Sequence, residues 1–360
     1  LNSNTPEKVL PEPAYLRRNE SGKYATPAGQ FNSVTTYLDR FDKPYLRNWY
    51  GKVVAQAALE LFERFQQGQL DMAEYAAKIT DWQTLMRAPE AIRDRAGHRG
   101  SLTHHAIYAA ALLDETWPTD AELLDWLTAE GRGLGLLDRV KKDGSVELAS
   151  QNQYIELAEE SLPFVRSALA WIGVWQPRWE TLGLEAYVVN ETYEYAGTMD
   201  SMAWLSLNIP DGQEKSKTAD ALRALRAECN RLMAESGTEC PSWYDPTTNS
   251  ILVQIDFKTS KAIRDTFALQ IEAYSRAQYI VLMSPEELPE YEKVTLEGRQ
   301  AYKVPMMEVA ASAILHIRPD GDEADSTGTH LYAFAKSDGA WHALVSLIDL
   351  VRWSENPDRP

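Results

Sequence analysis

The sequence predicts an α/β fold, a mixed sheet with interleaved helices behind a helical N-terminal part. Two patterns predict it. In the first half, apolar residues recur three and four positions apart, the period of an amphipathic helix. From Glu185 onward, short aromatic and β-branched runs alternate with amphipathic stretches, which reads as strands separated by helices. With 44% hydrophobic and 25% charged residues the chain can build a core, which excludes a disordered chain, a collagen-like fibre and a disulfide scaffold. Its 360 residues suffice for one large or two ordinary domains.

Residues 1–30 read as a flexible arm, polar and carrying Pro6, Pro11, Pro13 and Pro27, without the basic and apolar blocks of a targeting peptide. Residues 31–360 read as a single domain, with 31–150 as its helical part. Within residues 45–114, Val53, Val54, Ala57, Ala58, Leu61, Phe62 and Phe65 share one helical face. Pro89 suits a first helical turn, and Gly100-Ser101 reads as a break followed by a helix start. Residues 119–130 form a further helix in this reading, ended by Gly131, Gly133 and Gly135. After a helix near 159–175, residues 185–190 and 195–205 read as paired strands. Residues 217–235 put Leu222, Leu225, Cys229 and Leu232 on one side of a helix. A strand at 251–259, a helix at 265–279, strands at 279–283, 310–318 and 331–336 and a helix at 340–353 complete the pattern.

Lys and Arg number 36 against 53 Asp and Glu, a net charge of -17. Nucleic acid therefore cannot be held by the overall field, and any such site needs a local basic groove. The most apolar stretch, residues 168–175, is far short of the roughly 20 residues that cross a bilayer, so no membrane partner is expected. Cys229 and Cys240 read as reduced thiols of a cytosolic compartment. There is no Gly-x-Ser-x-Gly elbow for a serine hydrolase. The adjacent His104 and His105 lack the spacing that converges on zinc from one helix.

Chemistry concentrates at the end of one strand. In Ile251-Leu-Val-Gln-Ile-Asp-Phe-Lys-Thr-Ser260, Asp256 and Lys258 are two apart, so both side chains leave the strand on one face. A carboxylate there can hold a divalent cation, and the ammonium can orient water or offset phosphate charge; a salt-bridged strand end is the plain alternative. Upstream, Tyr195-Ala-Gly-Thr-Met-Asp200 offers a second aspartate on a neighbouring strand. Two hard oxygen ligands suit Mg²⁺ or Mn²⁺ better than Zn²⁺. The helix through Arg99-Gly-Ser-Leu-Thr-His104-His105 adds an imidazole, and only one of two adjacent histidines can face a given site.

These segments, Gly100 to His104, Gly197 to Asp200, Asp256 to Thr259 and Gln270 to Tyr274, resemble in kind and order the RecB-type branch of the PD-(D/E)xK nucleases. More narrowly the chain is similar to phage exonucleases related to the CRISPR-adaptation nucleases, through Ser33-Val-Thr-Thr36, Lys43-Pro44, Trp49 and the run from Ala91-Ile92 to Arg99-Gly100. The resemblance implies a restriction-endonuclease-like mixed central sheet flanked by helices. It implies a metal-dependent DNA exonuclease with Mg²⁺ or Mn²⁺, processing phage DNA ends in recombination, repair or replication. The alternative is a catalytically inactive or endonucleolytic DNA-binding protein of the same fold. Linear DNA ends, single- or double-stranded, would be the substrate, with an annealing or single-strand-binding protein as a further partner. The place of action would be the cytoplasm, of a bacterial host for a phage-encoded chain.

Carried over by residue, the resemblance makes His104, Asp200, Asp256 and the Phe257 carbonyl the metal ligands and Lys258 the catalytic lysine. Glu185, Gln270 and Tyr274 would support the site. Arg93, Arg95 and Arg99 before His104, with Thr259, Lys261 and Arg264 after the strand, would contact DNA. Trp243-Tyr244 is the better candidate for base stacking, whereas Trp49, Trp171 and Trp175 read as packing. The sequence departs from the family twice. Asp256 follows Asp200 by 56 positions, longer than the usual hairpin, so residues 207–250 read as an insertion at its tip. Two cysteines cannot form the Cys₄ iron–sulfur site of the CRISPR-adaptation relatives, so no such cluster is expected.

Overall fold

The computed structural model describes residues 23–40, 44–113, 115–140, 145–236, 240–283, 291–319, 328–334 and 338–355. Of the expected flexible arm, residues 1–22 lie outside these. Its last part is ordered structure instead: β1 (Tyr24–Thr26) and β2 (Gly29–Ser33) pair antiparallel, and Tyr24 is fully buried with its hydroxyl 3.1 Å from Thr198 Oγ1. The aromatic and β-branched residues at alternate positions make this hairpin, outweighing the polar, proline-marked composition around it.

Helices follow in a block: α1 (Val34–Leu38), α2 (Pro44–Gln66), α3 (Met72–Thr80), α4 (Trp82–Leu112) and α5 (Asp120–Gly133). Helix α4 spans 31 residues, about 46 Å at 1.5 Å per residue. It runs on through Pro89 and Gly100-Ser101, so neither the helix start nor the break expected there occurs. Its start is set earlier, where the Asp81 side chain accepts the Thr84 amide. The apolar face expected on α2 is only half-buried, and Phe62 is 41% exposed. The C-terminal half of α4 is different: Leu102, Ala106, Ile107 and Tyr108 are fully buried. That half is therefore held rigidly against the rest of the fold.

A small hairpin, β3 (Arg139–Val140) with β4 (Val146–Glu147), leads to α6 (Gln151–Trp175). Helix α6 starts well before the expected position near 159 because Ser150 and Gln153 cap each other reciprocally. Then come β5 (Arg178–Trp179), a 3₁₀ turn (Thr181–Gly183), β6 (Ala186–Asn190), β7 (Tyr195–Met199), β8 (Ser201–Ser206) and α7 (Lys217–Ser236). The chain continues through β9 (Tyr244–Asp245), β10 (Ser250–Lys258), α8 (Asp265–Ser275), β11 (Tyr279–Leu282), β12 (Glu292–Leu296) and β13 (Arg299–Pro305). It ends in β14 (Ala311–Ile317), β15 (Thr329–Phe334) and α9 (Asp338–Glu355).

The strands form a seven-stranded sheet in the order β1-β2-β7-β6-β11-β13-β12 and a six-stranded sheet in the order β15-β14-β10-β8-β5, with β9 paired antiparallel to β10 as its sixth strand. Both are mixed, because β2–β7 and β10–β14 are parallel and their other pairs antiparallel. The stretch 195–205, expected as one strand, divides at Asp200: β7 belongs to the first sheet and β8 to the second. Asp200 thus sits at the seam. Helices α6 and α7 pack on β15, and α8 packs on β7, β10 and β14. The fold is mixed α/β, a curled sheet flanked by helices, as the sequence pattern predicts at that level. One core, including Trp171, Tyr195, Ile255 and Phe257, runs across both sheets. A second joins α4, α5 and α6 through Leu102, Leu123, Leu127 and Leu157. Among the described residues no helix is long and apolar enough to cross a membrane.

Candidate metal centre

Strand register builds the site. In β8 and β10, Ser201 lies opposite Ile255, and one further step sets Asp200 opposite Asp256. In β6 and β7, Ala186 lies opposite Met199, and one step beyond sets Glu185 opposite Asp200. The Glu185 amide donates to the Asp200 carbonyl at 2.9 Å. Three carboxylates thus stand at neighbouring positions across the seam. The long segment between Asp200 and Asp256 leaves this register intact because it joins the far ends of β8 and β10, closed by the Leu207 amide on the Asn249 carbonyl at 2.9 Å. Its helix α7 lies on β15, away from the pairing.

Helix α4 brings the imidazole. His104 Nε2 is 3.2 Å from the Phe257 carbonyl oxygen, and Nδ1 is 3.8 Å from Asp200 Oδ2. That same Asp200 oxygen accepts the Phe257 amide at 2.7 Å. Ligand atoms of His104, Glu185 and Asp200 all lie within 4.8 Å of one another. Beside them Lys258 Nζ is 2.5 Å from Asp256 Oδ2, while the buried Asp256 Oδ1 accepts no hydrogen bond among the described residues.

Local sequence explains this placement. Glu185 adopts φ 47°, a left-handed conformation that costs a non-glycine residue on the order of 1 kcal/mol or more. Gly183, just before it, has no room for a side chain, since a Cβ there would meet Met202 Cβ at 2.6 Å. Gly197 is needed for a similar reason: its Cβ would lie 2.5 Å from Tyr274 Cε1. Tyr274 is buried and accepts from Gln270 Nε2 at 3.1 Å, so this pair on α8 braces the sheet under the site. Gly100 lets α4 approach the end of β10, its Cβ position being 3.3 Å from Thr259 Oγ1.

Burial governs the electrostatics. Desolvation lowers the His104 imidazole to about 4, helped by the Lys258 charge, so the ring is neutral at pH 7. Desolvation raises Asp256 to about 6 despite Lys258, and raises Asp200 as well. For Lys258 burial acts downward, but the charges of Asp256 and Asp200 prevail and hold the ammonium above its ordinary value. The site is thus a buried cluster of acids with one cation-forming side chain, in which burial works against the ionisation of Asp200 and Asp256.

Three carboxylates, a neutral imidazole and a backbone carbonyl make a hard, oxygen-rich donor set. The unpartnered Asp256 Oδ1 and the raised carboxylates are what a divalent cation would relieve, so the residues fit Mg²⁺ or Mn²⁺. The structure differs from the expected ligand grouping in one respect. It places Glu185, expected only as support, with His104 and Asp200, while Asp256 is turned to Lys258.

The other expected site residues lie around this centre. Arg93 pairs with Asp94 at 3.0 Å, and Arg95 pairs with Glu160 at 3.0 Å and Glu156 at 3.6 Å. Arg99 makes no ion pair among the described residues; its guanidinium stacks on Phe164 at 4.4 Å and its Nε is buried without a partner. Thr259 and Arg264 are half-buried and Lys261 is exposed. Trp243 is buried in the core, which removes it as a base-stacking residue; its apolar ring closes the segment against β10 instead. Trp171 and Trp175 are buried, as read from the sequence. Tyr108, which sequence reasoning does not single out, is fully buried and donates to Glu185 Oε1 at 2.8 Å. Its only signal in the sequence is its place four residues after His104, on the same helical face.

The two histidines separate cleanly. His105 is buried on the far side, its Nδ1 2.9 Å from Glu130 Oε1. Consequently His105→Ala is expected to lower the melting temperature with cation affinity unchanged, and His104→Ala to weaken Mn²⁺ binding at least tenfold. Calorimetric Mn²⁺ titration of both variants checks this, and the opposite ranking would mean that the wrong histidine faces the acids.

No protein-family model matches the chain, and no curated protein matches it.

Proposed function

We propose that this protein is a metal-dependent deoxyribonuclease of the PD-(D/E)xK type with a restriction-endonuclease-like sheet, acting as an exonuclease on DNA ends in phage recombination, repair or replication. One observation carries the reading: Asp200 and Asp256 on paired strands, Lys258 two residues on and His104 from a helix converge on one buried acidic cluster. A salt-bridged strand end, Asp256 with Lys258, needs neither Asp200 nor His104. His104, Glu185, Asp200 and Asp256 would hold Mg²⁺ or Mn²⁺, with the Phe257 carbonyl adjacent. When bound, the cation supplies Lewis-acid polarisation of the phosphate and lowers the pKa of water.

The chain's own groups do the rest. Lys258 is protonated at neutral pH, so it acts as a charged donor toward the attacking water or the scissile phosphate and not as a general base. Gln270 and Tyr274 fix the sheet beneath it. Arg99 on α4 keeps its Nε without a partner among the described residues, Thr259 lies against Gly100 one residue on, and Lys261 is exposed just past the end of β10. The partner is a DNA end, with an annealing or single-strand-binding protein beside it.

The experiment is cleavage of end-labelled linear DNA, single- and double-stranded, beside a closed circle, with Mg²⁺, Mn²⁺ or EDTA. Metal-dependent loss of the linear substrates alone supports the exonuclease. Nicking of the circle would move the reading to an endonuclease on the same residues, and DNA binding without cleavage to an inactive member of the fold. Within it, Arg99→Ala is expected to raise KM for DNA about tenfold or more, the loss of one charge-assisted phosphate contact. Arg93→Ala and Arg95→Ala should change it little, since acids already neutralise those side chains. Equal effects from all three would show a diffuse field and no specific contact.

A further inference from the structure

We infer that Tyr108 is a positioning residue for the cation, holding Glu185 in place as a ligand; this rests on the metal-dependent reading above. Tyr108 sits one turn after His104 on the buried half of α4, so a single helix presents one ligand and the support of another. Its hydroxyl donates to Glu185 Oε1 at 2.8 Å. The ring packs against Phe257 at 6.0 Å and His104 at 6.3 Å between centroids, contacts that phenylalanine would also make. What the hydroxyl adds is therefore one directed hydrogen bond to one carboxylate oxygen.

The chemistry of that bond suits a ligand. An arginine or lysine in this place would neutralise Glu185 and compete with the cation, whereas a neutral phenol orients the carboxylate and leaves its charge. A phenol ordinarily ionises only at about pH 10, and here its hydroxyl points to Glu185 Oε1, so it is the donor of the pair. The Glu185 backbone is itself held in a left-handed conformation, at φ 47° with its amide on the Asp200 carbonyl. Backbone and side chain are then both fixed, which is the arrangement expected where one rotamer must be ready for a ligand.

Tyr108→Phe tests this, read by calorimetric Mn²⁺ titration of EDTA-treated protein and by melting with and without Mn²⁺. The expected result is a 10–100-fold weaker Mn²⁺ affinity, the usual effect of losing a group that orients a metal ligand. Glu185→Gln, which keeps an acceptor for the hydroxyl but removes the charge, should show a loss at least as large. Adding Tyr108→Phe to it should cost little more. A lower melting temperature in EDTA with unchanged Mn²⁺ affinity would make the contact merely structural and overturn the inference. If Tyr108→Phe does not fold, Glu185→Gln decides, since unchanged affinity there removes Glu185 as a ligand and the proposal with it. Wild-type protein that binds no Mn²⁺ would instead sink the underlying metal-dependent reading, an outcome distinct from wild-type binding that Tyr108→Phe leaves intact.

Discussion

Replacing Lys258 with alanine is expected to reduce cleavage of linear DNA by about 10²–10³-fold at saturating Mn²⁺, the scale seen when a preorganised electrostatic donor is removed. The cation should still bind. Lys258 is a positive charge 2.5 Å from Asp256 Oδ2, so it opposes a second cation there, and Lys258→Ala should bind Mn²⁺ as tightly as wild type or more tightly at pH 8. The combination of retained or strengthened cation binding with lost turnover is what separates a catalytic lysine from a structural ion pair. A structural pair would give the reverse, a lower melting temperature and intact turnover per folded molecule. Single-turnover cleavage together with calorimetry on one preparation of Lys258→Ala distinguishes them.

Much of this centre is legible in the sequence because period-two strands and fixed register translate directly into neighbours. Asp256 and Lys258 share a face by spacing alone, and the antiparallel pairing of β8 with β10 then puts Asp200 beside Asp256. The glycines of the two motifs have plain steric reasons, Gly100 against Thr259 and Gly197 against Tyr274. Glu185 is harder to read as a member of this cluster. Its role depends on β6 running beside β7 in register and on a left-handed turn after Gly183, and neither leaves a residue-type signature. Tyr108 is harder still, since on a buried helix face a tyrosine with a partner looks like any core aromatic.

The fold divides in the same way. Long amphipathic helices and the β10 strand carry strong periodicity, whereas the break at Asp200 follows from a strand passing between two sheets, a tertiary event with no local marker. The β12–β13 hairpin turns on Glu297 and Gly298 at φ 48° and 77°. Its first turn residue is not the Asn or Asp that usually announces such a turn. The opposite lesson comes from α6, whose start at Ser150-Gln151-Asn152-Gln153 is a capping signature present in the sequence.

Asp256→Asn is expected to stabilise the protein in EDTA at pH 7 while abolishing stabilisation by Mn²⁺. The sign follows from Asp256, whose ordinary value of 3.8 is raised to about 6 by burial. Between those values the folded state keeps a proton that the unfolded chain has lost. Its contribution therefore falls as pH rises through this window, by about 3 kcal/mol at about 1.4 kcal/mol per unit, and stays lowered above pH 6. His104 works the other way, dropping from 6.5 to about 4 through burial, so its contribution to stability grows as pH rises across 4–6.5. In wild type the rising slope of His104 opposes the falling slopes of Asp256 and Asp200, both raised by burial. Asparagine removes the falling limb of Asp256 and leaves that of Asp200 against the rising one of His104, so the variant should lose less stability with pH than wild type and exceed it at neutrality. Cation affinity of the wild type should weaken below pH 6, where Asp256 takes up its proton, while His104 remains neutral and available. Melting curves from pH 4 to 8, with EDTA and with Mn²⁺, test both halves. A metal-free Asp256→Asn protein that melts below wild type at pH 7 would mean that the acid is held in place for stability. One that melts higher yet still gains from Mn²⁺ would remove Asp256 from the ligand set and leave the cation to His104, Glu185 and Asp200.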